Sequence, residues 1–281
     1  MDWTPAKAIE DMDRGGVSTS VVSLSEPGVW FGDNASARRL ARASNEYAAE
    51  LSRTYPGRFA FFAVLPLPDV EGSLREIEYA MDVLGAVGVS MLTSVNGQYL
   101  GDAAFAPAMA ELNRRKAVVF THPVKPDCCH GLVPDLPDAA IEMTTDTSRA
   151  IASLLFSGTA TRFPDIRWIF SHGGGTVPLL VGRLQLFAER PQAKRLMPHG
   201  VMSELSKFYY DTAQTCTAPG LATLSQFAPP SQILFGTDYP FASSKASADC
   251  LTAHLGARRV ADIGRANARA LFPTLQVARR S

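Results

Sequence analysis

The chain has 281 residues, 46% hydrophobic and 19% charged, and its 27 Lys plus Arg balance 27 Asp plus Glu, so it carries no net charge. That composition suits one globular domain over 1–281 with a large core and excludes disorder, collagen and coiled coil. Charge balance leaves no chain-wide attraction for nucleic acid or an anionic membrane, and no apolar run approaches the roughly 18 residues of a spanning helix.

Residues 4–15 read as a helix, with Pro5 in its first turn, Ile9 and Met12 on one face, and Gly15 and Gly16 ending it. A strand over 18–24 precedes a helix carrying Leu40, Tyr47 and Leu51, and a strand over 59–67 precedes one carrying Leu74, Ile77, Met81 and Leu84 behind a capping box at Ser73 and Glu76. Strands over 87–92 and 117–121 flank a helical stretch with Phe105, Met109 and Leu112. Further helices at Ile151, Leu154 and Leu155, at Leu180, Leu184 and Phe187, and at Leu221 and Leu224 alternate with strands over 166–171, 208–212 and 232–236. Strand then helix, repeated, calls for a parallel sheet with helices outside.

Chemically capable residues stand at the C-terminal ends of these strands: His122 after Val118-Val119-Phe120, His172 after Trp168-Ile169-Phe170, Asp211 after Tyr209-Tyr210, and Asp238 after Ile233-Leu234-Phe235. In a closed parallel barrel those ends share one face, where active sites are assembled. A doubly wound open sheet usually announces a glycine-rich phosphate turn, and no G-x-G-x-x-G occurs. The expected fold is therefore a (β/α)8 TIM barrel with seven recognisable strands. Its first strand is missing, which leaves exposed edges unless another segment fills the gap.

His122, in Thr121-His122-Pro123, reads either as a divalent-metal ligand or as a rim histidine. His172, in Ser171-His172-Gly173-Gly174-Gly175, suits proton transfer near neutral pH. The H-G-G-G run of lipases needs a G-x-S-x-G elbow, which is absent. Asp238 could bind a metal, orient a water or accept its proton, or it could simply cap the next helix. Asp211 reads as a turn or cap residue, and His199 and His254 as structural or solvated. Adjacent Cys128 and Cys129 beside His130 cannot both face one tetrahedral ion well. The four cysteines give no disulfide framework, and Met1-Asp2-Trp3-Thr4 opens no signal peptide, so a cytoplasmic chain with reduced thiols is expected.

These residues resemble the amidohydrolase-related metal-dependent decarboxylases, the group of aminocarboxymuconate semialdehyde decarboxylase and 6-methylsalicylate decarboxylase. The carriers are Trp3-Thr4-Pro5 with Met12-Asp13-Arg14-Gly15-Gly16-Val17, Asn45-Glu46-Tyr47, Pro56-Gly57-Arg58-Phe59 with Leu65-Pro66, and Thr121-His122-Pro123. Arg162-Phe163-Pro164, Ser171 to Gly175 on to Gly182-Arg183, Tyr210-Asp211-Thr212-Ala213 and Gly236 to Phe241 continue the match over nearly the whole chain. The stretch from Val21 through Asn45-Glu46-Tyr47 to Tyr99-Leu100-Gly101-Asp102 is most similar to the 6-methylsalicylate branch.

The resemblance implies a barrel in which His122 and Asp238 ligate a divalent ion, zinc or manganese, with His172, or a protonated Asp238, handling the proton. It implies that Arg190 reaches across a homodimer to a substrate carboxylate, a task a guanidinium suits. It also implies a His-x-His pair on the first strand, and none occurs among the five histidines. Periodicity and resemblance together lead to the expectation of a shortened N-terminus and of feeble activity until that pair is restored. The expected reaction is loss of carbon dioxide from a small aromatic or muconate-like carboxylic acid. The alternatives are lactonase-like hydrolysis and an inactive fragment, and substrate choice falls to loops 26–33, 94–102 and 125–143.

Overall fold

The computed structural model describes residues 3–275. Seven strands form one sheet: β1 (Ser20–Val22), β2 (Phe59–Val64), β3 (Gly88–Leu92), β4 (Val118–His122), β5 (Arg167–Phe170), β6 (Tyr209–Asp211) and β7 (Ile233–Leu234). Every neighbouring pair is parallel and the order is sequential. A doubly wound sheet would reverse its strand order at a switch point, so that alternative falls. All six residues of β2 are buried, as expected of a parallel strand covered on both sides. Each strand lies within or next to its predicted stretch, shortened where the chain turns toward the site.

Among the described residues β7 does not pair with β1, so the sheet is a part-closed barrel with one seam. Outside this seam, helix Pro5–Gly15 packs against helix Ser244–His254, and the Ser244 amide donates to Asp11 Oδ2 at 2.8 Å. A side chain at Gly15 would strike Ser244, so glycine is needed there for close approach as well as for ending the helix. Beneath lie Met12, Leu51 and Phe59, with Trp3, Val22 and Tyr239 at their margin. The ring of helices thus closes where the ring of strands does not.

Three sequence expectations change. Helix Asn34–Thr54 does not bury Leu40 and Tyr47, which are 42% and 54% exposed; it buries Ala37, Ala41, Asn45, Ala49 and Leu51. Small residues bring the helix close to the sheet, where Asn45 Oδ1 accepts from Val64 N at 2.8 Å and Asn45 Nδ2 donates to Val64 O at 2.9 Å. Helix Val70–Glu78 starts before the supposed capping box, with Asp69 as its cap, accepting from Gly72 N at 3.0 Å. Glu76 is committed elsewhere, accepting from Asn45 Nδ2 at 2.8 Å and Arg42 Nη2 at 2.9 Å. On helix Val177–Ala188, Leu180 and Leu184 are half-buried and Leu184 packs on the core as expected, but Phe187 is exposed, and Leu179 and Leu186 stand at 79% and 68% exposure.

The cysteines also depart from expectation, because all four are paired: Cys216 with Cys250, and Cys128 with its neighbour Cys129. Cys216 lies in the turn after β6 and Cys250 in helix Ser244–His254, with Cα atoms 6.0 Å apart across 34 residues of sequence. That proximity comes from the barrel's winding and has no trace in local spacing.

Candidate metal centre

β4 ends on His122, whose Nδ1 lies 2.9 Å from the Pro123 carbonyl oxygen. A carbonyl only accepts, so Nδ1 carries a proton there and Nε2 is the nitrogen left to face the cluster. That nitrogen faces Asp238, 3.9 Å from Oδ1. The proline noted beside His122 thus contributes through its carbonyl.

His172 follows β5 with a left-handed backbone at φ +54°, and Gly173, Gly174 and Gly175 continue with φ of +64°, +79° and +66°. Its backbone N–H donates to Asp211 Oδ1 at 2.9 Å, and the same oxygen accepts from Ala213 N at 3.0 Å. Asp211 therefore braces two turns. Gly236 gives it room, since a side chain there would press on the Asp211 carboxyl. The glycines after His172 answer to space as well as to φ: a Cβ at Gly174 would meet the Tyr210 ring, and one at Gly175 would collide with the Thr144 carbonyl oxygen. Gly175→Ala is accordingly expected to cost about 3 kcal/mol in urea unfolding, and a cost below about 1 kcal/mol would contradict this account.

Asp238 also has a left-handed backbone, at φ +59°, and its Oδ2 lies 3.6 Å from His172 Nε2. The two imidazole rings stand edge to face with centroids 5.7 Å apart. His122, His172 and Asp238 each offer one ligand atom, all within 4.8 Å of one another. They arrive from three strand ends, so the sheet itself assembles the cluster. Among the described residues no other group of His, Cys, Asp and Glu comes together this way.

The charges are mutually supporting. Burial raises the cost of charging Asp238, yet the neighbouring His122 and His172 outweigh it and hold the carboxyl well below the usual carboxylate range. Burial likewise opposes a proton on His172, but Asp238 and the charge of Asp211 prevail and raise its pKa. Asp211, fully enclosed, is pushed up by burial. The result is an anionic Asp238 set beside a proton-holding His172.

Sequence reading missed Gln214, whose Nε2 donates to Asp238 Oδ2 from a left-handed position at φ +49°. A polar residue two positions past the Asp211-Thr212 turn was its only signal. Of the other candidates, Arg190 is exposed, with its guanidinium 4.7 Å over the Phe187 ring, and it is not in the cluster. His130 pairs locally with Asp138 at 3.3 Å, and His199 and His254 are exposed.

The profile of the amidohydrolase family matches residues 2–274. The chain belongs to that family. This amidohydrolase is 38% identical over 229 residues to the 6-methylsalicylic acid decarboxylase of Penicillium expansum, a match covering 80% of this chain and 71% of that one. A solved 2,6-dihydroxybenzoate decarboxylase in complex with 2,6-dihydroxybenzoate superposes with a TM-score of 0.86 at 25% identity, over 97% of this chain and 89% of that chain. The fold recurs in a dihydroxybenzoic acid decarboxylase of Polaromonas with bound manganese, with a TM-score of 0.82 at 24% identity over 97% of this amidohydrolase and 86% of that chain.

Proposed function

We propose that this chain is a metal-dependent decarboxylase, a carbon–carbon lyase acting on a small aromatic or muconate-like carboxylic acid. The observation that carries the reading is the convergence of His122, His172 and Asp238 at the strand ends of a chain whose relatives are decarboxylases. Two imidazoles and a carboxylate suit zinc or manganese, the inward-facing His122 Nε2 and the anionic Asp238 are ready donors, and the buried His172 Nδ1 has no hydrogen-bond partner. His122 and Asp238 would hold the ion, and when bound it would supply charge that orients and polarises the substrate's carboxylate with a neighbouring hydroxyl.

The chain's own residues do the rest. As the bond from ring carbon to carboxylate breaks, its electron pair stays on carbon and takes the proton that His172 delivers, while carbon dioxide leaves. Asp238 keeps that proton on the imidazole until it is needed, and the glycines after His172 let the backbone turn so that Nε2 points inward. We read the seven-stranded sheet, with its seam between β1 and β7, as belonging to a (β/α)8 barrel.

Metal content by plasma mass spectrometry, followed by carbon dioxide release from hydroxybenzoates at raised Mn2+, tests this reading. Ring opening without carbon dioxide would favour hydrolysis, and neither metal nor turnover would favour a non-catalytic chain.

We also infer a homodimer through helix Val177–Ala188, because exposed Leu179, Leu186 and Phe187 form an apolar face beside Arg190. A partner copy on that face would put Arg190 at the interface, where it could reach a substrate carboxylate. Leu186→Asp is expected to turn a dimer into a monomer in analytical ultracentrifugation. A wild-type chain already monomeric at micromolar concentration would count against the interface.

A further inference from the structure

Thr93 stands just past β3, fully buried, and it touches the segment bearing His122 at two points. Its backbone N–H donates to the His122 carbonyl at 3.0 Å, and its Oγ1 accepts from the Val124 N–H at 3.1 Å. The two contacts bracket His122 and Pro123, so the carbonyl that fixes the His122 tautomer lies inside the bracket.

A hydroxyl has one proton to give, and Thr93 gives it to Asp146 Oδ2 at 2.5 Å. That leaves the oxygen's lone pairs for Val124. Asp146, fully buried on helix Glu142–Phe156, is itself steadied on its other oxygen by the Tyr99 hydroxyl at 2.6 Å. Arg149 Nη1 stands 3.6 Å from that oxygen. Burial, with Asp146 alongside, pushes the Tyr99 phenol up to about 12, so it remains a donor at any physiological pH. A wholly buried carboxylate that spends both oxygens on neighbours of a strand end is costly to keep unless it holds something in place.

We propose that Thr93, aimed by Asp146, is a positioning residue that clamps His122 in the orientation needed to bind the metal ion. The clamp rests on the reading of His122 as a ligand. Ligand orientation through such outer contacts is commonly worth 10-fold to 100-fold in affinity, on the order of one or two hydrogen bonds.

The test compares Thr93→Val, which keeps the shape and removes the hydroxyl, with Thr93→Ser, which keeps the hydroxyl. Two readouts are taken: Mn2+ affinity by competition titration, and amide hydrogen exchange at Val124 without any ion. Thr93→Val is expected to weaken Mn2+ binding roughly 10-fold to 100-fold and to speed exchange at Val124, with Thr93→Ser restoring both. Wild-type Mn2+ affinity in Thr93→Val, or equal impairment in Thr93→Ser, would overturn the proposal, as would fast Val124 exchange in the wild type. A wild-type chain with slow Val124 exchange that takes up no Mn2+ would instead fault His122 as a ligand and remove the clamp's role with it.

Discussion

Asp238→Asn is expected to lower carbon dioxide release by roughly 10^3-fold and to weaken Mn2+ binding sharply, while leaving the fold intact. Asparagine tolerates the left-handed backbone that Asp238 adopts at φ +59°, so the substitution isolates the side chain from the strain of the turn. What it removes is the negative charge against which His122 and His172 are set, 3.9 Å and 3.6 Å away. A neutral amide oxygen can still touch the ion but lacks the charge that makes a carboxylate hold it. Stability should change little or even rise, since relieving a functional site of a buried charge often stabilises. Metal content and turnover, measured on the same preparation, check this; retention of both would dismiss Asp238 from the site.

His172→Asn is expected to divide the two properties that Asp238→Asn removes together. Asparagine again suits the backbone, here at φ +54°, and the Asp211 brace to the backbone N–H persists. Turnover should fall by roughly 10^2 to 10^4, the usual worth of a positioned proton donor, with Mn2+ affinity falling much less. Parallel loss of turnover and affinity would make His172 a ligand and leave the proton donor to be found elsewhere. The orphaned Nδ1 and the contact of Nε2 with Asp238 make either outcome chemically specific.

The strands were legible because a parallel strand covered on both faces writes itself as an apolar run, as Phe59–Val64 does. His122, His172 and Asp238 were legible because barrel topology sends strand ends to one face, so position in the pattern carried the chemistry. The helices were less so. Leu40 and Tyr47 mark a plausible apolar face, but the sheet is packed by alanines and Asn45, whose worth lies in hydrogen bonds to Val64. Ser73 and Glu76 make a capping box by spacing, yet Glu76 answers to Arg42 and Asn45 from another helix.

What stayed hidden depends on contacts distant in sequence. Thr93 meets Asp146 across 53 residues, Gln214 meets Asp238 across 24, and Cys216 meets Cys250 across 34. Each of these residues has an ordinary local explanation, and only the folded sheet brings the partners together. The apolar helix Val177–Ala188 reads as core by composition, and its exposure became visible only when its neighbours were placed around it.

The contact of Asp11 with Ser244 spans 233 residues, nearly the length of the chain. A polypeptide leaving the ribosome cannot make it until synthesis is almost finished, and closing so long a loop is entropically the slowest kind of step. Strands β1 to β6 can pair in the order they emerge, each beside its predecessor, while the first helix waits without its packing partner. During that interval Ala8 and Met12 can already settle on Leu51 and Phe59, but the side of the helix that meets Ser244–His254 stays open to solvent until the last helices emerge, which makes it a natural target for a chaperone during translation.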